Sequence, residues 1–340
     1  KKIKLTLDPL NFRINAKTIG SKILYQQEII ELEYIKTQIS LISLIKNKFI
    51  SSNLEISTRS ISLKNLAKFA RTISNRHELF FLERLIKNGH VILDIRLNID
   101  ENGNIKNDYE IIGLLKDGKI DLLKNRNFEN INFILNIKNN IFNFRDINFK
   151  TGKMNFFSEN LKVTKSKKEL FFKGVVENKK SYLSTELLDL FALNLKDINL
   201  ENINFSSKNN FSFNINNRFK FKNLTLASEI QIDEFEHPKP HFFNNYFPNI
   251  KDMIYLKDHK IKAKYKKNEL TIKGSGKIQI EKEFDKIEYL ITNKDKVLNL
   301  VADVSLNELS IKSHVFLRNF FPEIKDIINL KNHKINISYN

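Results

Sequence analysis

His90 to Ile99 reads H-V-I-L-D-I-R-L-N-I. Val91, Leu93, Ile95, Leu97 and Ile99 share one parity, and Asp94, Arg96 and Asn98 take the other. Successive side chains of an extended chain point to opposite sides, so this stretch is a strand with one apolar and one wet face. Asp100-Glu-Asn-Gly103 then supplies turn chemistry. Tyr109, Ile111 and Gly113 resume the extended register, and Lys116-Asp-Gly118 reads as another tight turn from which Lys119 to Leu123 lead away. The rhythm continues downstream. Ile131, Phe133, Leu135 and Ile137 alternate with Asn132, Asn136 and Lys138, and Phe211, Phe213 and Ile215 alternate with Ser212 and Asn214. Phe219 and Phe221 follow, and Leu270 to Ile280 and Val301 to Ile311 behave similarly. Short strands separated by polar turns predict an antiparallel meander.

Helical spacing is rare. Leu63, Leu66, Phe69, Ala70 and Ile73 predict a helix over 62–73 with Ser62 as N-cap, extended by His77 to Asn88. Ser184 to Leu193 is a weaker helical stretch. A Phe-Pro pair precedes Asn249 to Leu256 and again Glu323 to Leu330, and each proline suits a helix start.

Those two Phe-Pro pairs belong to a repeat. Asn245 to Lys266 (NYFPNIKDMIYLKDHKIKAKYK) and Asn319 to Asn340 (NFFPEIKDIINLKNHKINISYN) lie 74 residues apart and agree at 13 of 22 positions. The matches include Phe247/Phe321, Pro248/Pro322, Asp252/Asp326, His259/His333 and Tyr265/Tyr339. Composition bias supplies aligned Lys, Asn and Ile but not these. Tandem similarity at a fixed offset predicts one structural unit stacked on its copy. The second copy runs to the last residue, so the expectation is an array that continues in a longer protein. The expected division is 1–88 for N-terminal strands with a helical segment, 89–240 for a central meander, and 241–340 for the tandem units.

About twenty strands spaced about 4.8 Å apart make an open sheet on the order of 90–100 Å wide with one apolar face. Few helices are predicted to cover it. A barrel, a sandwich or a lipid-holding trough would each protect that face, and the repeat favours the form that can be lengthened. The fold class expected is therefore mainly β, an elongated, curled antiparallel sheet with a few short helices.

The chain carries 57 basic and 39 acidic residues, a formal charge of +18. Codon bias of an AT-rich genome explains the abundance of Lys, Asn, Ile and Phe; attraction to a polyanion or an anionic membrane surface is the functional alternative. Basic residues alternate with apolar ones and are interleaved with acids, and Phe falls in the apolar phase, so nucleic acid is not an expected partner. Cys is absent, which excludes disulfides and thiolate metal sites. No stretch of about 18 uncharged apolar residues occurs, and Lys1 to Leu10 has no signal-peptide core.

Catalytic chemistry finds no signature. His237 and His241 are four apart, but Pro238 and Pro240 forbid the helix that would converge them on a metal. His259 and His333 recur at equivalent places, as structural residues do, and His77, His90 and His314 have no local partner. Gly274-Ser-Gly276 sits inside an alternating strand and reads as a bulge or bend, not a phosphate cradle. No cofactor, metal or catalytic residue is expected.

Lys4-Leu-Thr-Leu-Asp-Pro-Leu with Ile30 to Ile45, the Gly89-His-Val block, the Gly113-Leu-Leu-Lys-Asp-Gly118 turn and the Phe-Pro…His units resemble AsmA-like proteins, the larger ones being the YhdP and TamB type of repeating β-groove protein. The resemblance implies a non-enzymatic phospholipid carrier in the periplasm of a Gram-negative bacterium. It implies an inner-membrane anchor outside this chain, delivery towards the outer membrane, and partners that are phospholipid acyl chains, both membranes and membrane partner proteins. On this view Val91, Leu93, Ile95, Leu97, Ile131, Phe133, Leu135, Phe211, Phe213, Ile215, Phe219 and Phe221 line the groove. Burying each methylene is worth about 0.8 kcal/mol and the term is non-directional, so acyl chains would be held without being fixed in place. The alternative is a periplasmic assembly scaffold that binds proteins by strand addition.

Overall fold

The computed structural model describes residues 2–25, 28–45, 53–73, 77–100, 102, 104–122, 126–166, 168–182, 203–216, 218, 220–239, 241–295, 297–313 and 315–339. The chain is mainly β: 75% strand and 9% helix, in an antiparallel sheet of nineteen strands that is not closed. It divides into two units, Lys1–Val175 with Asn214–Lys220, and Val176–Phe213 with Phe221–Asn340.

The first unit contains β1 (Lys2–Asp8), β2 (Arg13–Ile19), β3 (Lys22–Tyr25), β4 (Glu28–Ser40), α1 (Leu41–Ile45), β5 (Asn53–Thr58), β6 (Ile61–Ser62), α2 (Leu63–Ile73), α3 (His77–Leu85), β7 (Ile86–Asn98), β8 (Glu110–Leu122), β9 (Arg126–Lys138), β10 (Ile141–Thr151) and β11 (Met154–Lys165). From β7 to β11 each strand pairs antiparallel with the next. Strands β12 (Glu169–Tyr182) and β13 (Asn204–Asn216) contribute residues to both units. The second unit adds β14 (Phe221–Pro238), a 3-10 turn at His241–Asn245, β15 (Met253–Lys266), β16 (Glu269–Gln279), β17 (Phe284–Lys294), β18 (Val297–Lys312), α4 (Val315–Phe320) and β19 (Ile327–Tyr339), with β14 to β19 paired antiparallel in order.

The strands are longer than the alternation alone predicts because they continue through β-bulges. Lys116-Asp-Gly118, expected to turn, lies inside β8. Leu115 pairs with Phe133 and Gly118 with Ile131, so β8 carries one extra residue there, at Asp117. Asp117 has φ 52°, and the same left-handed conformation recurs at Asn130, Asp146, Asn223, Asp258 and Asn332. Asp and Asn tolerate this region better than other side chains bearing a Cβ. At each of these positions the apolar parity slips by one: Leu115 gives way to Ile120, Phe144 to Ile147, Leu256 to His259 and Leu330 to His333. Without the extra residue every side chain beyond the slip would face the wrong side. In β9 and β10 the side chain two residues on closes the bulge, Asn132 Nδ2 donating to the Asn130 carbonyl at 2.8 Å and Asn148 Nδ2 to that of Asp146 at 3.2 Å. The Asp100 turn forms as expected, with Oδ1 accepting the amides of Asn102 and Asn104.

Helix α2 begins directly after Ser62, as its periodicity predicts. Leu63, Leu66 and Phe69 pack onto Ile30, Leu32, Ile61, Val91 and Leu115. The following helix stops at Leu85, and Ile86–Asn88 already belong to β7. The expected helices after the Phe-Pro pairs do not form. Helical structure precedes them instead, at His241–Asn245 and Val315–Phe320, and the chain enters β15 and β19 within six residues of each proline. A residue before proline is driven out of the helical region, so Phe247 and Phe321 end the turns that lead to them. The helical stretch 184–193 lies outside the described residues.

Candidate functional site: an apolar sheet face

Pairing register aligns the apolar parity of neighbouring strands into rows running across the first unit's sheet. One row is Ile56, Ile95, Ile111, Ile137, Phe142 and Val163. The next is Leu93, Gly113, Leu135, Phe144 and Leu161. A Cβ at Gly113 would come within 2.9 Å of a terminal methyl of Leu93, which would have to shift. Phe133 meets Phe144 edge-on at 5.2 Å, and beyond the bulges Phe128, Phe149 and Phe156 form an aromatic row with centroids 5.6 and 5.1 Å apart.

These rows are covered at one place. Under α2, Val91 is 6% exposed, Leu115 is buried, and Leu93, Ile131 and Phe133 border the same cluster. Further along, Ile95, Leu97, Leu135, Ile137 and Phe144 are half-buried. Among the described residues the main helix-on-sheet packing of this unit involves β4 and β6 to β8, whereas Leu135, Ile137, Phe142 and Phe144 lie on β9 and β10. The chain exposes 23675 Å². Even two separate compact bodies sharing its 40.1 kDa would expose only about 17,000 Å² together. The area is larger than compact packing gives, and the large side chains exposed on β7 and β8, Ile92, Ile112 and Leu114, lie on the other parity from these rows.

In the second unit Phe211 stacks on Phe213 at 5.8 Å, and Phe213 meets Phe221 at 5.2 Å. Phe221 is 69% exposed, at the start of β14. Ile215 belongs to the first unit, and Phe219 lies outside the described residues.

Sequence reasoning missed three features. The first is a polar belt in the apolar parity of β12 to β14. Ser207 Oγ donates to Asn178 Oδ1, Asn209 Nδ2 donates to Ser207 Oγ at 2.8 Å and to the Val176 carbonyl at 3.2 Å, and Asn178 Nδ2 reaches the Phe205 carbonyl at 3.3 Å. Ser228 is buried in the same parity. This satisfied network wets a band of the face without leaving orphaned groups. Beside it an open depression of about 400 Å³ is bordered by Glu177, Lys208, Glu229 and Lys262, which are ion-paired as Lys208–Glu177 and Lys262–Glu229.

The second is a pair of ring slots. The His259 imidazole lies over Gly276 and the Tyr289 phenol over Gly274, with Cβ atoms excluded at 2.4 and 2.0 Å. Gly276 lies opposite the β-bulge of β15 at Asp258, in keeping with a glycine that marks a bulge, and Gly274-Ser-Gly276 is also the floor under two aromatic rings. His259 Nε2 donates to the Lys277 carbonyl at 3.0 Å, and burial holds its pKa below the ordinary histidine value. Burial likewise raises the Tyr289 hydroxyl.

The third is a pair of buried carboxylates. Asp285 Oδ1 accepts the Asn307 amide at 2.7 Å, and Glu281 Oε1 accepts the Ser310 amide at 2.6 Å. Burial raises the pKa of Asp285. Glu281 Oε2 also lies 3.4 Å from the Ser310 hydroxyl, so both carboxylates are engaged with β18.

Among the described residues no three metal-ligating side chains converge, and no helix is long and apolar enough to cross a membrane. His237 engages its own neighbour, Nδ1 lying 2.6 Å from the Pro238 carbonyl. The arrangement presents contiguous apolar rows, capped by α2 at one end of the β7–β9 segment, with charged side chains and the exposed Ile92, Ile112 and Leu114 on the opposite parity. No family model, curated protein or solved structure matches the chain.

Proposed function

We propose that this chain is a non-enzymatic binder and carrier of phospholipid acyl chains, of the AsmA-like kind, working in the periplasm between the inner and outer membranes of a Gram-negative bacterium. The observation that carries the reading is the in-register apolar rows of β7 to β11, whose side chains remain half-buried beyond the reach of α2. Acyl chains would supply the missing contacts. Each methylene transferred from water contributes about 0.8 kcal/mol, which for a whole tail outweighs the ordering of a few side chains. Because the rows run unbroken from Ile56 to Val163, a tail shifted by one strand meets equivalent neighbours, so retention and movement are compatible. Lys side chains of the opposite parity add attraction for anionic headgroups.

Native mass spectrometry of the purified protein, together with photo-crosslinking from Leu135 and Phe213, tests this. Co-purifying phospholipid and crosslinks that disappear on polar substitution of the neighbouring Phe144 and Phe211 support the carrier. A lipid-free, partner-bound species and crosslinks insensitive to those substitutions would replace it with the scaffold reading.

A further inference from the structure

The two parities of the second unit are used differently. On the apolar parity the strands pack internally, Phe247 lying against Val304, Leu306 and Leu309 of β18. On the wet parity of β15 stand Lys260, Lys262, Lys264 and Lys266, all exposed. Lys262 is directly opposite Lys273 of β16, which is exposed as well. Like charges facing each other across a strand pair repel. At two other opposed lysine pairs both members have a counter-group. Lys17 faces Lys36; the first lies 4.6 Å over the Tyr34 ring and the second meets Glu55 at 3.4 Å. Lys257 faces Lys277, and they meet Glu234 and Asp258, each at 3.1 Å.

Around Lys262 and Lys273 that provision is missing. Glu229 reaches Lys262 at 3.6 Å, with both side chains exposed. Among the described residues no acid is ion-paired with Lys260, Lys264, Lys266 or Lys273. Their partners on β14 are Gln231, Ala227 and Thr225. Glu269 is held by Lys294 at 2.9 Å, and Glu288 faces Ser275. Codon bias accounts for the number of lysines in the chain but not for the shortage of acids beside these. The row through Lys262 and Lys273 continues to Leu290 and Val301, and Val301 is 39% exposed. One face therefore sets unmatched ammonium groups beside accessible apolar surface.

We propose that the wet face of β15 and β16 is a docking surface for an anionic lipid bilayer. Charge complementarity selects the occupant. Every cation of the patch is Lys and none is Arg, so compact ammonium groups answer a diffuse negative field and offer no planar fork for a single phosphate. No aromatic side chain shares this parity on β14 to β17, which leaves nucleic acid without a stacking platform. Val301 beside the lysines suits the boundary between headgroups and acyl chains. The inference goes beyond the carriage of acyl chains: it uses the opposite parity, in the other unit, and either holds without the other.

Co-sedimentation of the full chain with phosphatidylcholine vesicles, with and without phosphatidylglycerol, tests this. The expected result is binding to the anionic vesicles alone, lost at about 1 M salt, where the screening length falls to about 3 Å. Lys260→Gln, Lys264→Gln and Lys273→Gln together should weaken it about a hundredfold, at about fivefold per lysine. Arg at the same positions keeps the charge and should keep the binding. Lys22→Gln, Lys119→Gln and Lys180→Gln lower the net charge equally, but these lysines are already paired with Glu31, Glu129 and Asp233. That control should bind as the unaltered chain does. Equal weakening in the control would overturn the proposal and leave only the overall charge of +18. So would loss of binding in the Arg variant, or binding to phosphatidylcholine alone. Tight binding of a single-stranded oligonucleotide, with none of the vesicles, would overturn it and make the occupant nucleic acid. Vesicle binding abolished by Phe144→Ser would assign the attachment to the apolar rows instead. Vesicle binding that persists in a chain with no co-purifying phospholipid supports the docking and counts against the carriage alone.

Discussion

The imidazole of His259 rests on the backbone of Gly276, leaving no space for a Cβ, which would stand 2.4 Å from the ring. One strand supplies the ring and its neighbour supplies the gap, and the Nε2 hydrogen bond to the Lys277 carbonyl holds the two in register. Tyr289 over Gly274 repeats the arrangement from the other side of β16.

Gly276→Ala should therefore lift the His259 ring and break that hydrogen bond. The expected cost is about 1–3 kcal/mol, from overpacking and an unmet buried donor. Gly20→Ala, where nothing lies within 4 Å of the added Cβ but φ is 67°, should show the smaller penalty of backbone strain alone. Urea titration of both variants checks the order.

His259 also predicts a pH dependence. Its folded pKa is depressed by burial below the unfolded value of 6.5. As pH falls through about 6.5 the unfolded state takes up a proton that the folded state refuses, so stability drops from there down to the folded pKa and levels off below it. Asp285 acts in the opposite direction: its raised pKa means stability is lost as pH rises above 3.8 towards the folded value. His259→Gln should remove the loss on acidification below 6.5 that the imidazole causes and leave the contribution of Asp285, as read by thermal unfolding at a series of pH values.

The bulges make a third prediction. Asp146 sits at φ 52° where the apolar parity of β10 changes from Phe144 to Ile147. Asp146→Val should destabilise by about 1–2 kcal/mol, the cost of a left-handed residue bearing a branched Cβ. Asp146→Gly should be nearly neutral. Deleting the residue would force Ile147 and Phe149 to the wet face and should be far worse than either. Chemical denaturation ranks the three.

Stability and lipid retention should separate along the apolar rows. Leu115, 4% exposed beneath α2, is a core residue, and Leu115→Ala is expected to cost about 2–5 kcal/mol. Leu135 is half-buried on β9, so Leu135→Ser should cost markedly less on unfolding while reducing the phospholipid that co-purifies. Equal loss of stability at both positions would place Leu135 in an ordinary core.

Much of this was legible in period-2 alternation: the strands, their antiparallel order and α2 with its Ser62 start. Lys116-Asp-Gly118 shows where local reading stops. Asp and Gly serve turns and bulges alike, and only the change of parity from Leu115 to Ile120 tells them apart. That signal lies in the sequence but requires comparing both sides of the slip, not the tripeptide. Proline suits a first helical turn, which predicts helix starts at the Phe-Pro pairs, yet proline constrains the residue before it more strongly. The burial of Val91 depends on where α2 docks, and the slot beneath His259 joins residues seventeen apart in sequence; neither has any local trace. The polar belt of Asn178, Ser207 and Asn209 hid in an Asn-rich chain, where amides carry little information one at a time.

The packing of Phe247 on β18 gives the second unit an overlap like that of roof tiles, each course pinned by the one laid after it. A structure whose anchors reach only a few strands ahead can gain or lose a whole course through a single in-frame duplication without disturbing the rest. Length in such a protein is then a variable that evolution can adjust in steps while keeping one pattern of side chains.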